Sequence, residues 1–550
     1  MNRKLIQKVN SLLSKEKGTV FKDPGGRINI CLIYPNTYYV GMSNLGFQGI
    51  YSMLNMRDDV VCERAFLPND IDEYKRTGTP VFSFESKRPI NEFPILAFSI
   101  SFENDYPNII KILSLSNIPL QSTHRNEYEP LLIAGGVCAF FNPEPICQIF
   151  DVIFVGEGEE FIYEFLDTYK MSSNKYDLKK RSLKIDGIYI PEFYDVTYGL
   201  DGRIKERISK EGATEKIKRR YLKDLSASSI KMAITTPETE FSNMYLIEAM
   251  RGCPWRCRFC LVGHIYSPVR KKDLDILKEE IEMVKGYRTY EDMTKKTKIG
   301  IVGPSLSDIK GIEDVLCIED VDFSITSLRA SKKSFRLIEL LKKHKSISIA
   351  PEVGTERMRR IINKRITEED IIGVSELILN SGIENLRLYF IIGLPEEKED
   401  DIHGIVDLVK KIRNVSAKGK ITLSISTFVP KPFTPFQWHP MDTLSRLKEK
   451  LRFIKKSLKN EKNVFVFHDL PKYAHMQGIF SLGDRRVFFL IREMAFGSNL
   501  QKACQNTGID ADFYIFRKKD FDESLPWDFI DIGVKKEDLW KEYQEALKIP

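Results

Sequence analysis

Two successive series of apolar strands alternating with helices predict an α/β protein. In the first series, residues 22–170, the strands are apolar throughout, as in a parallel sheet covered on both faces. The second series starts at residue 241 and offers six candidate strands in under 200 residues, enough for a partial barrel and short of eight. The expected architecture is an N-terminal doubly wound, Rossmann-like parallel sheet, then a partial (β/α)6 barrel over 241–440, then a mainly helical C-terminal segment, 441–550.

Residues 1–21 hold an amphipathic charged helix without the apolar core and cleavage site of a signal peptide. In the first series INICLIY (28–34), ILAFSIS (95–101), LLIAG (131–135) and VIFVG (152–156) read as strands. FQGIYSMLNM, NIIKILSLS and EEFIYEFLDTY read as helices between and after them. Ligands of such sheets bind beyond the carboxyl ends of the strands, here near residues 36–43, 101–105, 135–142 and 156–159. Residues 171–240 are rich in Lys, Ser and Thr and read as a linker with a small hairpin. The barrel strands are expected at 244–249, 299–302, 322–326, 346–350, 386–392 and 421–426. Leu274, Leu277, Ile281 and Val284, and again Ile405, Leu408, Val409 and Ile412, mark helical stripes between them. The tail carries a helix at VFFLIREMA and an exposed-looking PWDFIDIG.

The chain of 550 residues has a net charge of only +7, a weak argument for nucleic acid or for an acidic protein partner. Lys-rich runs such as Lys295-Lys296 and Lys342-Lys343 read as solvated helix faces, without the interleaved aromatics of a nucleic-acid surface, so nucleic acid is not expected. No stretch approaches a membrane span, and a cytoplasmic protein is expected.

Nine cysteines, an odd and scattered set, do not form a disulfide framework. Three of them, Cys253, Cys257 and Cys260, fall within eight residues, in RGCPWRCRFC after the first barrel strand. Three thiolates at this spacing suit zinc or an iron–sulfur cluster. A structural zinc site has four protein ligands, and the nearby fourth is His264. Electron-transfer clusters use four cysteines, so three mean either zinc with His264 or iron with a ligand from elsewhere. His439, His468 and His475 are irregularly spaced and read as unrelated.

RGCPWRCRFC, with an aromatic residue before its last cysteine, resembles the signature of the radical S-adenosylmethionine (SAM) enzymes. GGVCAFFNPEP…DVIFVGEGEE before it and FVPKPFTPFQW after it resemble the subgroup with an N-terminal cobalamin (B12)-binding-like domain. The tail pattern LGDRRV…PWDFIDIG resembles a largely uncharacterised branch of that subgroup. The resemblance implies a [4Fe–4S] cluster on Cys253, Cys257 and Cys260, with SAM on the unique iron and a 5′-deoxyadenosyl radical as the product of its reductive cleavage. It implies cofactor contacts from Phe259 near the adenine and from Gly303, Pro304 and Ser305 near the methionine amino group. Ser327 and Arg329 end the third strand, Glu352 and Arg357 are candidates for the ribose or carboxylate, and Gly393, Leu394 and Pro395 bound the adenine pocket. The loop after the first strand, residues 35–46, lacks the histidine that many cobalamin domains place on cobalt, although histidine-free binding exists in this class. If cobalamin binds, Gly135, Gly136, Asn142 and Gly156 line its pocket and methyl transfer is the leading reaction. Reduced ferredoxin or flavodoxin is the implied electron donor. Two other readings are a zinc-stabilised binding protein and a tRNA or protein methylthiotransferase, which needs three more grouped cysteines than Cys31, Cys62, Cys138 and Cys147 provide.

Overall fold

The computed structural model describes residues 2–286, 296–325 and 327–550; Lys295 and Thr326, named above, lie outside them. The first sheet contains β1 (Ile28–Tyr34), β2 (Val60–Phe66), β3 (Ile95–Ser99), β4 (Leu131–Gly135), β5 (Val152–Phe154) and β6 (Ile188–Tyr189), in the order β2-β1-β3-β4-β5-β6. The first five are parallel and β6 runs antiparallel to β5. The chain leaves β1 for the edge at β2 and returns on the other side at β3, so the carboxyl ends of β1 and β3 flank a topological switch point.

Two of these strands depart from expectation. β2 was not anticipated, because Glu63-Arg64 interrupts its apolar run, yet all seven residues are buried. Arg64 is fully enclosed and bonded to Glu16 (2.8 Å) and Glu85 (2.6 Å), which neutralise its charge. β6 comes from the stretch read as linker, which also forms a hairpin of β7 (Tyr194–Tyr198) and β8 (Ile204–Ser209) and the short β9 (Ile217–Lys218).

The second unit is an arc of parallel strands. β10 (Tyr245–Glu248) enters it, and β11 (Met250–Arg251) and β12 (Arg270–Lys271) form a small antiparallel ladder above. The arc continues through β13 (Thr297–Val302), β14 (Val321–Ile325), β15 (Ser346–Glu352), β16 (Asn385–Ile392) and β17 (Lys420–Thr427). A parallel bridge between Leu328 and Ile349 joins its two sheets. The six expected strands are present, and β18 (Val464–His468) adds a seventh along β17. Its alternation of half-buried and exposed residues, with none fully buried, marks an edge strand, whereas β15, β16 and β17 bury every second residue. The two helical stripes lie in helices Leu274–Gly286 and Glu399–Val415, with Leu277, Ile281, Ile405, Leu408, Val409 and Ile412 buried against the sheet.

The tail is built into the core. Trp527 of PWDFIDIG, expected to be exposed, is fully buried and its Nε1 donates to Gln437 Oε1 at 2.8 Å. The following β19 (Ile530–Asp531) pairs with β9. Arg485 reaches the buried Glu144 of the first unit at 3.0 Å. Among the described residues no helix is long and apolar enough to cross a membrane.

Candidate active site

The cysteine loop is pinned at its base by the β11–β12 ladder, where Arg251 faces Arg270. Gly252 follows with φ +82°, and a Cβ there would lie 2.5 Å from the Tyr266 carbonyl oxygen, so only glycine lets the loop fold back. Cys257 is buried, and Cys253 and Cys260 are partly exposed. Burial raises all three thiols above their ordinary range, Cys260 to about 12. Cys260 also feels the charges of Cys257 and Cys253, so the three sulfurs share one neighbourhood. Arg329 and Lys364 lie near enough to favour the thiolate of Cys253 and of Cys257.

His264 does not complete a four-ligand set. It is fully buried, its Nε2 lies 3.3 Å from the Cys257 carbonyl oxygen, and burial lowers its imidazole to about 4. Among the described residues no three His, Cys, Asp or Glu side chains converge as ligands of a single ion. Three soft thiolates in one loop match the donor set of an iron–sulfur cluster that takes a further ligand from elsewhere.

The loop is braced from the barrel. Trp255 Nε1 donates to Asp308 Oδ2 at 2.6 Å, Ser305 Oγ donates to the same oxygen at 2.8 Å, and the Arg329 guanidinium stacks 3.5 Å from the Trp255 ring centre. Arg329 also donates to the Arg365 carbonyl oxygen at 2.8 Å. Glu352 has φ +68° at a bulge in β15, and its carboxylate pairs with Lys364 at 2.8 Å. A non-glycine residue held there costs about 1–3 kcal/mol, the kind of strain found at functional sites. Ser327 is half-buried at the end of β14, and Phe259 packs on the core shared with the first unit.

A cavity of about 630 Å³ lies between the two units. Its floor is the carboxyl end of the first sheet: Leu32, Ala97, Phe98, Ile133, Ala134, Gly135 and Phe154. Its opposite wall is Glu248, Met250, Arg251, Gly252, Val262, Tyr266, Val302, Gly303 and Pro304. Phe140 and Tyr266, one from each unit, meet edge to face at 5.7 Å. Among the described residues no histidine lines it.

Sequence reasoning passed over the residues that join the walls. Arg251 bonds Glu157 (2.6 Å), Glu159 (2.9 Å) and Glu248 (2.6 Å), and Arg270 holds Glu157 from the other side at 2.7 Å. Burial alone would raise the Glu157 carboxyl, but Arg270 and Arg251 hold it below its ordinary value. The signal was present, since Arg251 opens the cysteine motif and Glu157 sits in GEGEE, but sequence cannot show that the two meet.

Several expected contacts are redirected. Asn142 does not line the cavity; its Nδ2 donates to the Ser481 and Gly483 carbonyl oxygens, 2.9 Å each, and so holds the tail. Gly136 and Gly156 do border the cavity, but a Cβ on them would strike the backbones of Ile100 (2.5 Å) and Arg220 (2.0 Å). Their glycines serve chain packing, and only Gly135 has space over it, with nothing nearer than Phe154 at 4.0 Å. Gly393 and Leu394 border a separate cavity of about 180 Å³ beside helix Leu444–Leu458, with Pro395 buried next to them. Arg357 is committed to Asp401 and the Glu396 carbonyl oxygen, and the Ser305 hydroxyl to Asp308.

Comparison with known proteins follows the same division. Residues 46–191 match the family "Radical SAM proteins, N-terminal" and residues 247–409 match the "Radical SAM superfamily". The chain is 30% identical over 439 residues to "Uncharacterized protein MJ0966" of Methanocaldococcus jannaschii, covering 79% of this chain and 84% of that protein. It is 22% identical over 178 residues to the tRNA-2-methylthio-N(6)-dimethylallyladenosine synthase of Acetivibrio thermocellus, 30% of this chain and 37% of that enzyme. Among solved structures, the cobalamin-dependent radical enzyme OxsB with aqua-cobalamin bound aligns with a TM-score of 0.45 at 14% identity, over 70% of this chain and 52% of that one. The methyltransferase TsrM from Kitasatospora setae also aligns at 0.45, with 12% identity over 72% of each chain. With its three-cysteine loop on the first strand of a parallel arc and both halves matched, the chain belongs to the radical SAM superfamily and is an enzyme.

Proposed function

We propose that this enzyme cleaves SAM reductively at a [4Fe–4S] cluster on Cys253, Cys257 and Cys260, and that a corrinoid in the large cavity makes it a methyltransferase acting on an unactivated carbon. The cavity carries this reading: one wall is the ligand-binding edge of a doubly wound sheet and the other is the approach to the cysteine loop. At about 630 Å³ it falls within the range of cofactor pockets. When bound, the cluster supplies an electron to the sulfonium and the corrinoid carries the methyl group.

The protein's part is position and exclusion of water. The apolar floor from Leu32 to Phe154 suits the face of a macrocycle, with Gly135 leaving room above β4. Among the described residues the lining holds no histidine, so a corrinoid bound there would have to be held without an imidazole from this lining. Arg251 fixes the span between the cavity and Cys253 through its three carboxylates. Ferredoxin or flavodoxin in the cytoplasm would supply the electron.

Anaerobic reconstitution tests both halves. The expected result is about four irons per chain, 5′-deoxyadenosine on adding dithionite and SAM, and stoichiometric retention of hydroxocobalamin through gel filtration. Stoichiometric zinc in a colourless protein would refute the cluster, and failure to retain corrinoid would refute the methyltransferase.

A further inference from the structure

The parallel ladder fixes which residues share the inner face of the arc. Leu386, Leu388, Phe390 and Ile392 of β16 and Ile421, Leu423 and Ile425 of β17 are buried against the outer helices. Alternation therefore turns Arg387, Tyr389 and Ile391, and Thr422, Ser424 and Ser426, to the concave side. Val464 and Val466 of β18 pack on the same outer core, so Phe465 and Phe467 face inward too. The register sets these residues in rungs. Ser348, Arg387, Thr422 and Phe465 form one, and Tyr389, Ser424 and Phe467 form the next toward the carboxyl ends.

This face is cationic in the middle and aromatic at one edge. Arg387 is exposed, and among the described residues no carboxylate lies within ion-pair distance of it. Charges elsewhere in the arc are matched: Glu352 by Lys364 and Glu248 by Arg251, while Asp322 of β14 has Lys298 of β13 as its register neighbour. The Thr422 hydroxyl donates to Asn385 Oδ1 at 2.8 Å and that of Ser426 to Asp469 Oδ2 at 3.3 Å. The hydroxyls of Ser348, Ser424 and Tyr389 have no hydrogen-bond partner among the described residues. Phe465 and Phe467 are 45% and 62% exposed, and β18 is the last strand of its sheet. A free guanidinium, uncommitted hydroxyls and bare aromatic rings thus share one concave surface.

The place of Arg387 also measures a length. It lies five residues before the end of β16 at Ile392, about 16 Å at ~3.3 Å per residue. The cysteine loop follows the carboxyl end of β10, at the same rim of the arc. After allowing for the reach of the arginine side chain, an anion held there is on the order of 10 Å from a carbon at the rim. We propose that the concave face of β15 to β18 binds the substrate, and that the substrate is an elongated small aromatic acid. Its carboxylate pairs with the parallel N–H donors of Arg387, its ring lies along Tyr389 and Phe467, and its reacting carbon stands at the rim. The inference rests on reading Cys253, Cys257 and Cys260 as cluster ligands, which decides the end that reacts. A second copy is the weaker occupant, because a two-fold contact through this face would set Arg387 against its own like charge.

The test is calorimetric titration of the full-length, iron-loaded protein with ω-phenylhexanoate and with its neutral primary amide. Wild type should bind the acid about tenfold or more tightly than the amide, with a difference that shrinks at high salt. Arg387→Gln should lower the affinity for the acid to that for the amide. Phe467→Ser should weaken both ligands alike and keep the preference for the acid. Iron content and the circular dichroism spectrum check that both variants fold. Equal affinities in wild type overturn the proposal, as does a preference that survives Arg387→Gln or a failure of both probes to bind. A dimer in sedimentation velocity that Phe467→Ser splits also overturns it, in favour of a second copy. Absence of dithionite-driven 5′-deoxyadenosine from iron-loaded wild type would instead overturn the cluster reading and leave the preference for the acid standing.

Discussion

Arg251 Nη1 lies 2.6 Å from Glu157 Oε2, so the loop after β5 in the first unit is tied to the residue two places before Cys253. Both groups are nearly enclosed, with side-chain exposures of 11% and 4%, and screening by water is weak there. Replacing Arg251 by Gln leaves Glu159 and Glu248 without this partner, and breaking such a buried set costs about 3–5 kcal/mol. The expected result is an earlier thermal unfolding transition, read by differential scanning calorimetry. Arg251→Lys should recover only part of the loss, because an ammonium cannot span three carboxylates as a planar fork does. A wild-type melting curve for Arg251→Gln would contradict this.

The cysteine loop separates cluster from zinc by substitution. Cys257→Ala should abolish iron retention and the brown absorbance. His264→Gln should keep the iron, because the imidazole Nε2 pairs with the Cys257 carbonyl oxygen at 3.3 Å rather than with a thiolate, and should cost about 1–3 kcal/mol in loop stability. Loss of metal in His264→Gln, read by iron and zinc analysis, would restore the four-ligand reading.

Gly135 and Asn142 were both expected to line the pocket if cobalamin binds, and the fold separates them: Gly135 borders the cavity and Asn142 holds the tail. A side chain at Gly135 projects into open cavity, so Gly135→Phe should weaken hydroxocobalamin binding by about tenfold or more. Asn142→Ala should bind hydroxocobalamin as wild type does but lower the unfolding temperature, since it frees the backbone at Ser481 and Gly483. Equilibrium dialysis and calorimetry separate the two, and equal corrinoid affinities in all three proteins would remove Gly135 from the site.

Glu144 makes the seam between first unit and tail sensitive to acid. Burial would raise its carboxyl, but Arg207 and Arg485 outweigh burial and hold it down at about 2, below the ordinary 4.5. A depressed carboxylate stabilises the fold fully above the ordinary value and loses that stabilisation as pH falls toward 2. The shift corresponds to roughly 3 kcal/mol. Between pH 5 and pH 3 the urea midpoint of wild type should therefore fall more steeply than that of Glu144→Gln. Parallel slopes would show that the carboxylate is not held down.

The strands of the first unit were legible because burial on two faces demands apolar residues, as at Ile30–Tyr34, and Asn385–Ile392 was legible because Leu386, Leu388, Phe390 and Ile392 alternate into the core of the arc. β2 escaped because Arg64 sits inside it, acceptable only once Glu16 and Glu85 arrive from elsewhere in the chain. β18 was passed over although Val464–Phe467 is an apolar run of four, because it lies beyond residue 440, in the stretch read as a helical tail. Trp527 was misjudged because charged neighbours in PWDFIDIG gave no hint that Gln437 would meet its indole.

Local spacing was enough to name the three cysteines and the chemistry of soft thiolates, because eight consecutive residues determine what their own side chains can gather around. Contacts between distant segments were beyond it. Arg251 meets Glu157 across 94 positions, Asn142 turns to Ser481 across 339, and Arg357 turns to Asp401 across 44. Only the folded chain chooses among such partners, since a buried charge or amide takes whichever complementary group the packing brings within reach.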